Sequence, residues 1–197
     1  AFTLVELLVS VGIFTVITSV AVFSHNQFNS SITLTNLAYE IALSIRQAQV
    51  YGVTVKAPGS TIVFNSGYGI HFFDAGDDSV AKLVRYQLFE DKAPVADYTS
   101  YPNGTYDSGE SLESFYISKG NKIKKICFNN SPATCTSSSA VDISFVRPNP
   151  DALVKSGGFT YAEADICITS PDNRYKKIVV EGTGQISVVT NDVSICN

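Results

Sequence analysis

The sequence predicts an α+β chain in which one long N-terminal α-helix, spanning about 2–54, packs on a mostly antiparallel β-sheet domain. Three observations carry that expectation. From Leu7 to Phe23 no residue is charged, and the run is rich in Val, Ile, Leu and Phe. Apolar residues then recur at helical spacing as far as Gly52. Beyond Pro58 the pattern changes to an alternation of period two.

The helix comes first. No proline precedes Pro58, and Lys56-Ala57-Pro58-Gly59 is a stop signal. A helix of this length extends roughly 75–80 Å at 1.5 Å per residue. Its first half is apolar all round. Extended back across Glu6 to Phe2, it is long enough to cross a hydrocarbon core of roughly 30 Å. An ordinary secretory signal fits badly, because no basic stretch precedes the run and no small-residue cleavage pattern closes it. A carboxylate in such a segment costs at least ~2.5 kcal/mol on insertion scales, so Glu6 is expected to have a purpose. After Ser24-His25-Asn26-Gln27, the stripe Leu34, Leu37, Ala38, Ile41, Ile45, Ala48 and Gly52 predicts a face packed on the sheet. Glu40, Arg46, Gln47 and Gln49 fall on other faces, so this half is expected to need one packed partner. The chain divides into an apolar half-helix, 1–28, and a globular head, 29–197. The head comprises an amphipathic half-helix, 29–56, and a β domain, 60–197.

Strands are expected at Thr61–Phe64 and Tyr68–Phe73 around an Asn65-Ser66-Gly67 turn, and at Lys82–Phe89. Further strands are expected at Phe115–Ile117, Ile123–Phe128 and Val141–Val146. Ala162–Thr169, Tyr175–Glu181 and Gln185–Val189 complete the set, the last two joined across Gly182-Thr183-Gly184. The polar stretch Asp91–Ser114, with Pro94, Pro102, Gly104 and Gly109, reads as a surface loop.

Composition narrows the function classes. With 45% hydrophobic and 16% charged residues, the 197-residue chain is too apolar for disorder and too mixed for a multi-span membrane protein. A net charge of -4 leaves nucleic-acid binding possible but unsupported. Lys122, Lys124 and Lys125, with Lys176 and Lys177, read as a solvated sheet face. The absence of methionine predicts that residues upstream of Ala1 have been removed or left out. Cys127, Cys135, Cys167 and Cys196 form no C-x-x-C pair, and His25 and His71 lie far from them, so no metal site is expected. Disulfides are expected instead. Of three pairings the favoured one joins Cys127 to Cys135 across a polar turn, leaving Cys167 to hold Cys196. Asp74-Ala75-Gly76-Asp77-Asp78 lacks the ligand spacing of a calcium loop and reads as a turn. No nucleophile, phosphate-loop or zinc-protease signature occurs, so neither catalysis nor a cofactor is expected.

The opening segment Phe2-Thr3-Leu4-Val5-Glu6-Leu7-Leu8-Val9 resembles the segment that follows the prepilin peptidase cut in type IV pilins and type II secretion pseudopilins. More weakly, Ser44–Gly52 is similar to the helix end of minor pilins and H-type pseudopilins, and Ile178–Ile186 to their closing hairpin. The resemblance implies a pilin fold and a helical homopolymer of this chain. It implies that Glu6 pairs with the free, often N-methylated, α-amino group of a neighbouring subunit, making Glu6, Ala1 and Phe2 the assembly residues. Leu4, Leu7, Leu8, Val11 and Phe14 would pack the filament core. Processing and methylation would fall at Ala1 or Phe2, because the family's chain usually starts at the Phe and its Glu is then fifth rather than sixth. Many pilins carry a proline in mid-segment; here only Gly12, Thr15, Thr18 and Ser19 offer a softer point.

The implied partners are a second copy, the cytoplasmic membrane before assembly, the prepilin peptidase and the assembly platform. The implied location is a single-pass membrane subunit, then a cell-surface filament serving adhesion or motility. Two readings of Glu6 stand at this stage: pairing between subunits, or capping its own helix N-terminus. Two readings of the chain also stand: a structural subunit, or a minor tip pilin or type II secretion pseudopilin that binds DNA, a surface or a secreted cargo.

Overall fold

The computed structural model describes residues 3–54, 66–73, 84–92, 102–136, 139–190 and 193–196, and for 23–29 the backbone only. Helix α1, Leu4–Val53, runs 50 residues without interruption. Gly12 does not break it. The Thr15 hydroxyl donates to the carbonyls of Val11 and Gly12, both at 2.9 Å, and Thr18 donates to Phe14 O at 2.7 Å. These hydroxyls find acceptors within the helix rather than competing with it. At the far end the Thr54 N–H closes on Val50 O at 2.9 Å. The expected stop at 56–59, the strand at 61–64 and the acidic turn at 74–78 lie outside the described residues.

Eleven strands follow among the described residues, in two sheets, and every pairing is antiparallel. The first sheet holds β1 (Gly67–Phe72), β2 (Arg85–Asp91), β3 (Ser111–Tyr116), β6 (Val141–Phe145), β7 (Ala152–Ser156) and β8 (Phe159–Tyr161), in the order β3-β2-β1-β6-β7-β8. The second holds β4 (Lys122–Phe128), β5 (Ser131–Thr136), β9 (Glu163–Thr169), β10 (Tyr175–Glu181) and β11 (Ile186–Val189), in the order β11-β10-β9-β4-β5. The expected closing hairpin is β10–β11. Three strands were not expected: β5, β7 and β8.

Helix α1 lies against both sheets, touching β1 and β6 of the first and β9, β10 and β11 of the second. Leu34, Leu37, Ala38, Ile41, Ile45 and Ala48 are buried in one continuous core with Ile70, Phe72, Ile143, Phe145, Ile166 and Ile178. Period-two alternation explains the sheet side: in β1 and β6, Ile70, Phe72, Ile143 and Phe145 face the helix, while His71 and Asp142 point the other way. Gly52 ends the inner stripe because nothing larger fits. A Cβ there would lie 2.5 Å from Phe145 O.

Both expected disulfides are present, Cys127–Cys135 across the β4–β5 turn and Cys167–Cys196 tying a C-terminal 3-10 turn, Ser194–Cys196, to β9. Around them Ile195 and the half-buried Tyr175 and Val193 form a second small core.

Candidate functional site

Among the described residues, nothing covers the apolar half of α1 from Thr3 to Val22. Every residue from Thr3 to Val22 is exposed, and Leu4–Val22 is long and apolar enough to cross a membrane. Leu4, Leu7, Leu8, Val11 and Phe14, the residues expected to pack a filament core, are 54–80% exposed. Such a surface is unfavourable in water and requires lipid or other helices. Docking onto the head is visible by Ser30, whose hydroxyl donates to Asp172 Oδ1 at 2.7 Å. A hydrogen bond from Ser170, with this one from Ser30, holds the Asp172 carboxyl below its ordinary range.

Glu6 sits in the first turn of this bare segment. Thr3 and Glu6 form a reciprocal capping box: the Glu6 N–H donates to Thr3 Oγ1 at 3.2 Å, and Thr3 N and Oγ1 both approach Glu6 Oε2, at 3.5 and 3.4 Å. The carboxylate is thereby held toward the helix N-terminus, where the helix dipole favours it. The two contacts to Oε2 are long, and a carboxylate has about four acceptor sites, so capacity for a stronger donor remains. In the single chain the intrachain contact is the one made. Ala1 and Phe2 lie outside the described residues.

The second half of α1 departs from expectation. It has two apolar faces, not one. Opposite the buried stripe, Ile32, Tyr39, Leu43 and Val50 are 43–68% exposed. They follow at steps of seven, four and seven residues, which keeps them within a narrow strip of an α-helix surface. The signal was in the sequence but was masked by the stronger inner stripe. Gln49, expected on a polar face, is buried, and its amide donates to Pro150 O and Gly184 O, both at 2.9 Å. It also accepts from Arg46. Gln49 therefore ties the helix end to both sheets.

The stretch read as a surface loop is partly buried. Asp91 accepts from the N–H groups of Asn103 and Gly104, at 3.0 and 2.6 Å, and Glu110 from those of Lys92 and Asp107, both at 2.8 Å. Burial pushes the Asp91 carboxyl up to about 6 against the pull of those N–H donors, with the Glu110 and Asp107 charges adding to the rise. Burial raises Glu110 as well. Its described part from 102 to 110 lies over the outer face of the first sheet, where Tyr106 packs at 4.7 Å on His71. His71 Nδ1 is 2.7 Å from Asp142 Oδ1, and both residues are buried. On the second sheet Lys177 is buried 3.5 Å from Asp165, so this lysine does not belong to a solvated face. Lys124 lies over the Tyr175 ring at 4.4 Å.

Comparison with family models, curated proteins and solved structures gave no match.

Proposed function

We propose that the chain is a structural subunit of a type IV pilus-like filament, anchored in the cytoplasmic membrane before assembly and polymerising through α1. Glu6 then exchanges its long intrachain contacts for the N-terminal ammonium of a neighbouring subunit. The observation that carries this reading is a continuous 50-residue helix whose first half is bare and apolar, with one carboxylate in its first turn. A simple membrane anchor would account for the apolar surface but not for the acid. The outward strip Ile32, Tyr39, Leu43 and Val50 adds support, because it extends unpartnered apolar surface along the helix past any bilayer-length segment. The resemblance of residues 2–9 to processed prepilins points the same way.

A helix that is apolar all round serves twice, first in lipid and then against other helices. The exchange needs a head-to-tail contact that repeats along a helical operator. Pairing also relieves Glu6, since removing one partner of a buried ion pair typically costs ~3–5 kcal/mol. Electron microscopy of sheared surface filaments, with mass analysis of their subunits, tests the proposal. Abundant full-length chain with a processed, N-methylated Ala1 or Phe2 is the expected result. A trace component would instead favour the tip-pilin or pseudopilin role. Glu6→Val is expected to insert and fold but to yield few filaments, and normal filament yield from it would exclude the pairing.

A further inference from the structure

A cleft of about 180 Å³ opens beside the head half of α1. One wall is helical: Thr33, Asn36, Leu37 and Glu40 share a face at i, i+3, i+4 and i+7. The other is the connection from β3 to β4, which brings Tyr116, Ile117, Lys119 and Asn121 to the opposite side. Asn121 is only 3% exposed. Its backbone N–H donates to Ser118 O at 3.3 Å, and the residue lines the cleft.

We propose that this cleft binds a single neutral sugar ring. Size sets the first limit, because the volume is below the ~300–1,000 Å³ of sites that take drug-sized ligands, leaving room for one ring and not a chain of them. Charge sets the second. Glu40 and Lys119 both line the cleft, so an anion meets a carboxylate and a cation meets an ammonium. The remaining polar groups mix donors with acceptors. An Asn amide presents one of each side by side, which suits a pair of neighbouring hydroxyls, and the Glu40 carboxylate accepts from a third. The apolar surfaces complete the match. Leu37 and Ile117 are buried at the base, and the Tyr116 ring is 69% exposed at the rim, where it can cover the C–H face of a pyranose.

The test uses the full chain in micelles of a phosphocholine detergent, which carries no sugar headgroup. Glucose, galactose, mannose and N-acetylglucosamine are titrated by isothermal calorimetry and by saturation-transfer NMR, with inorganic phosphate and calcium as comparison probes. At least one sugar is expected to bind with a Kd of about 1–10 mM. Asn121→Leu is expected to weaken that binding by at least about tenfold. Tyr116→Ala and Glu40→Gln, both at exposed positions and with circular dichroism unchanged, are expected to weaken it as well. Absence of binding by all four sugars in the wild-type chain overturns the proposal. So does binding that survives both Tyr116→Ala and Glu40→Gln, or binding of phosphate or calcium alone.

Discussion

The two halves of α1 are made of the same kinds of residue and meet opposite fates. Ile41, Ile45 and Leu34 are fully buried by the chain's own sheets, while Leu8, Val11 and Phe14 meet nothing. The difference does not lie in hydrophobicity, which is greater in the uncovered half. It lies in whether the same chain supplies a complementary surface. In the head half Phe145 approaches so closely that only glycine fits at position 52. From Thr3 to Val22 the first half has no such surface from the described residues.

The sharpest way to separate the halves is to delete a side chain from each. Ile41→Ala is expected to cost the head about 4 kcal/mol, near the top of the usual range because the residue is fully buried. Leu8→Ala is expected to leave head stability unchanged. Denaturant unfolding followed by tyrosine fluorescence reads both, and equal effects would dissolve the distinction.

Next in size are the disulfides. With sequence separations of 29 and 8, removing Cys167–Cys196 as a double alanine variant is expected to cost about 3–4 kcal/mol, and removing Cys127–Cys135 about 2–3. The reverse order in thermal unfolding would mean that the C-terminal staple is peripheral to the head.

A smaller effect concerns pH. Asp91 holds its proton up to about 6 in the folded head, above an ordinary aspartate. Its protonation therefore favours folding: the head gains stability as pH falls from 7 toward 4, and loses it as pH rises through about 6. Asp91→Asn is expected to flatten the melting temperature between pH 5 and 7. An unchanged slope in that variant would assign the effect elsewhere.

Smallest of all, Leu43→Asn is expected to shift head stability by no more than about 0.5 kcal/mol, the usual size for an exposed position. Filament yield is expected to fall. A variant that unfolds the head would place this residue with the inner stripe instead.

What could be read from the sequence follows the same divide between local and distant causes. The helix, its inner stripe, the β10–β11 hairpin and the disulfide pairing were legible because each rests on spacing within a few turns or on four cysteines. The strand β5, Ser-Pro-Ala-Thr-Cys-Thr, has no apolar alternation and includes a proline tolerable only at a sheet edge, where it lies. β7 buries Ala152, Val154 and Ser156 on one face, a pattern too small in volume to stand out, and β8 has three residues. The burial of Asp91, Glu110 and Asp142 depends on a loop folding over a sheet, and nothing near them in sequence announces it. Glu6 was conspicuous as an acid in an apolar run. The outward strip needed the inner face to be settled before it could be recognised as surplus. Asn121 needed the cleft itself.

The Cys167–Cys196 bond has a mechanical consequence. In the proposed filament, tension pulls on the ends of each subunit, and a covalent bridge carries that load past everything it encloses. β10 and β11 both lie between the two cysteines, so a pull applied at the termini bypasses the hairpin against which the end of α1 is packed. About 100 Å of chain, at the extended length per residue, stays unavailable to stretching until that bond is reduced. Single-molecule extension of a Cys127→Ala/Cys135→Ala variant, with and without reductant, should differ by that length.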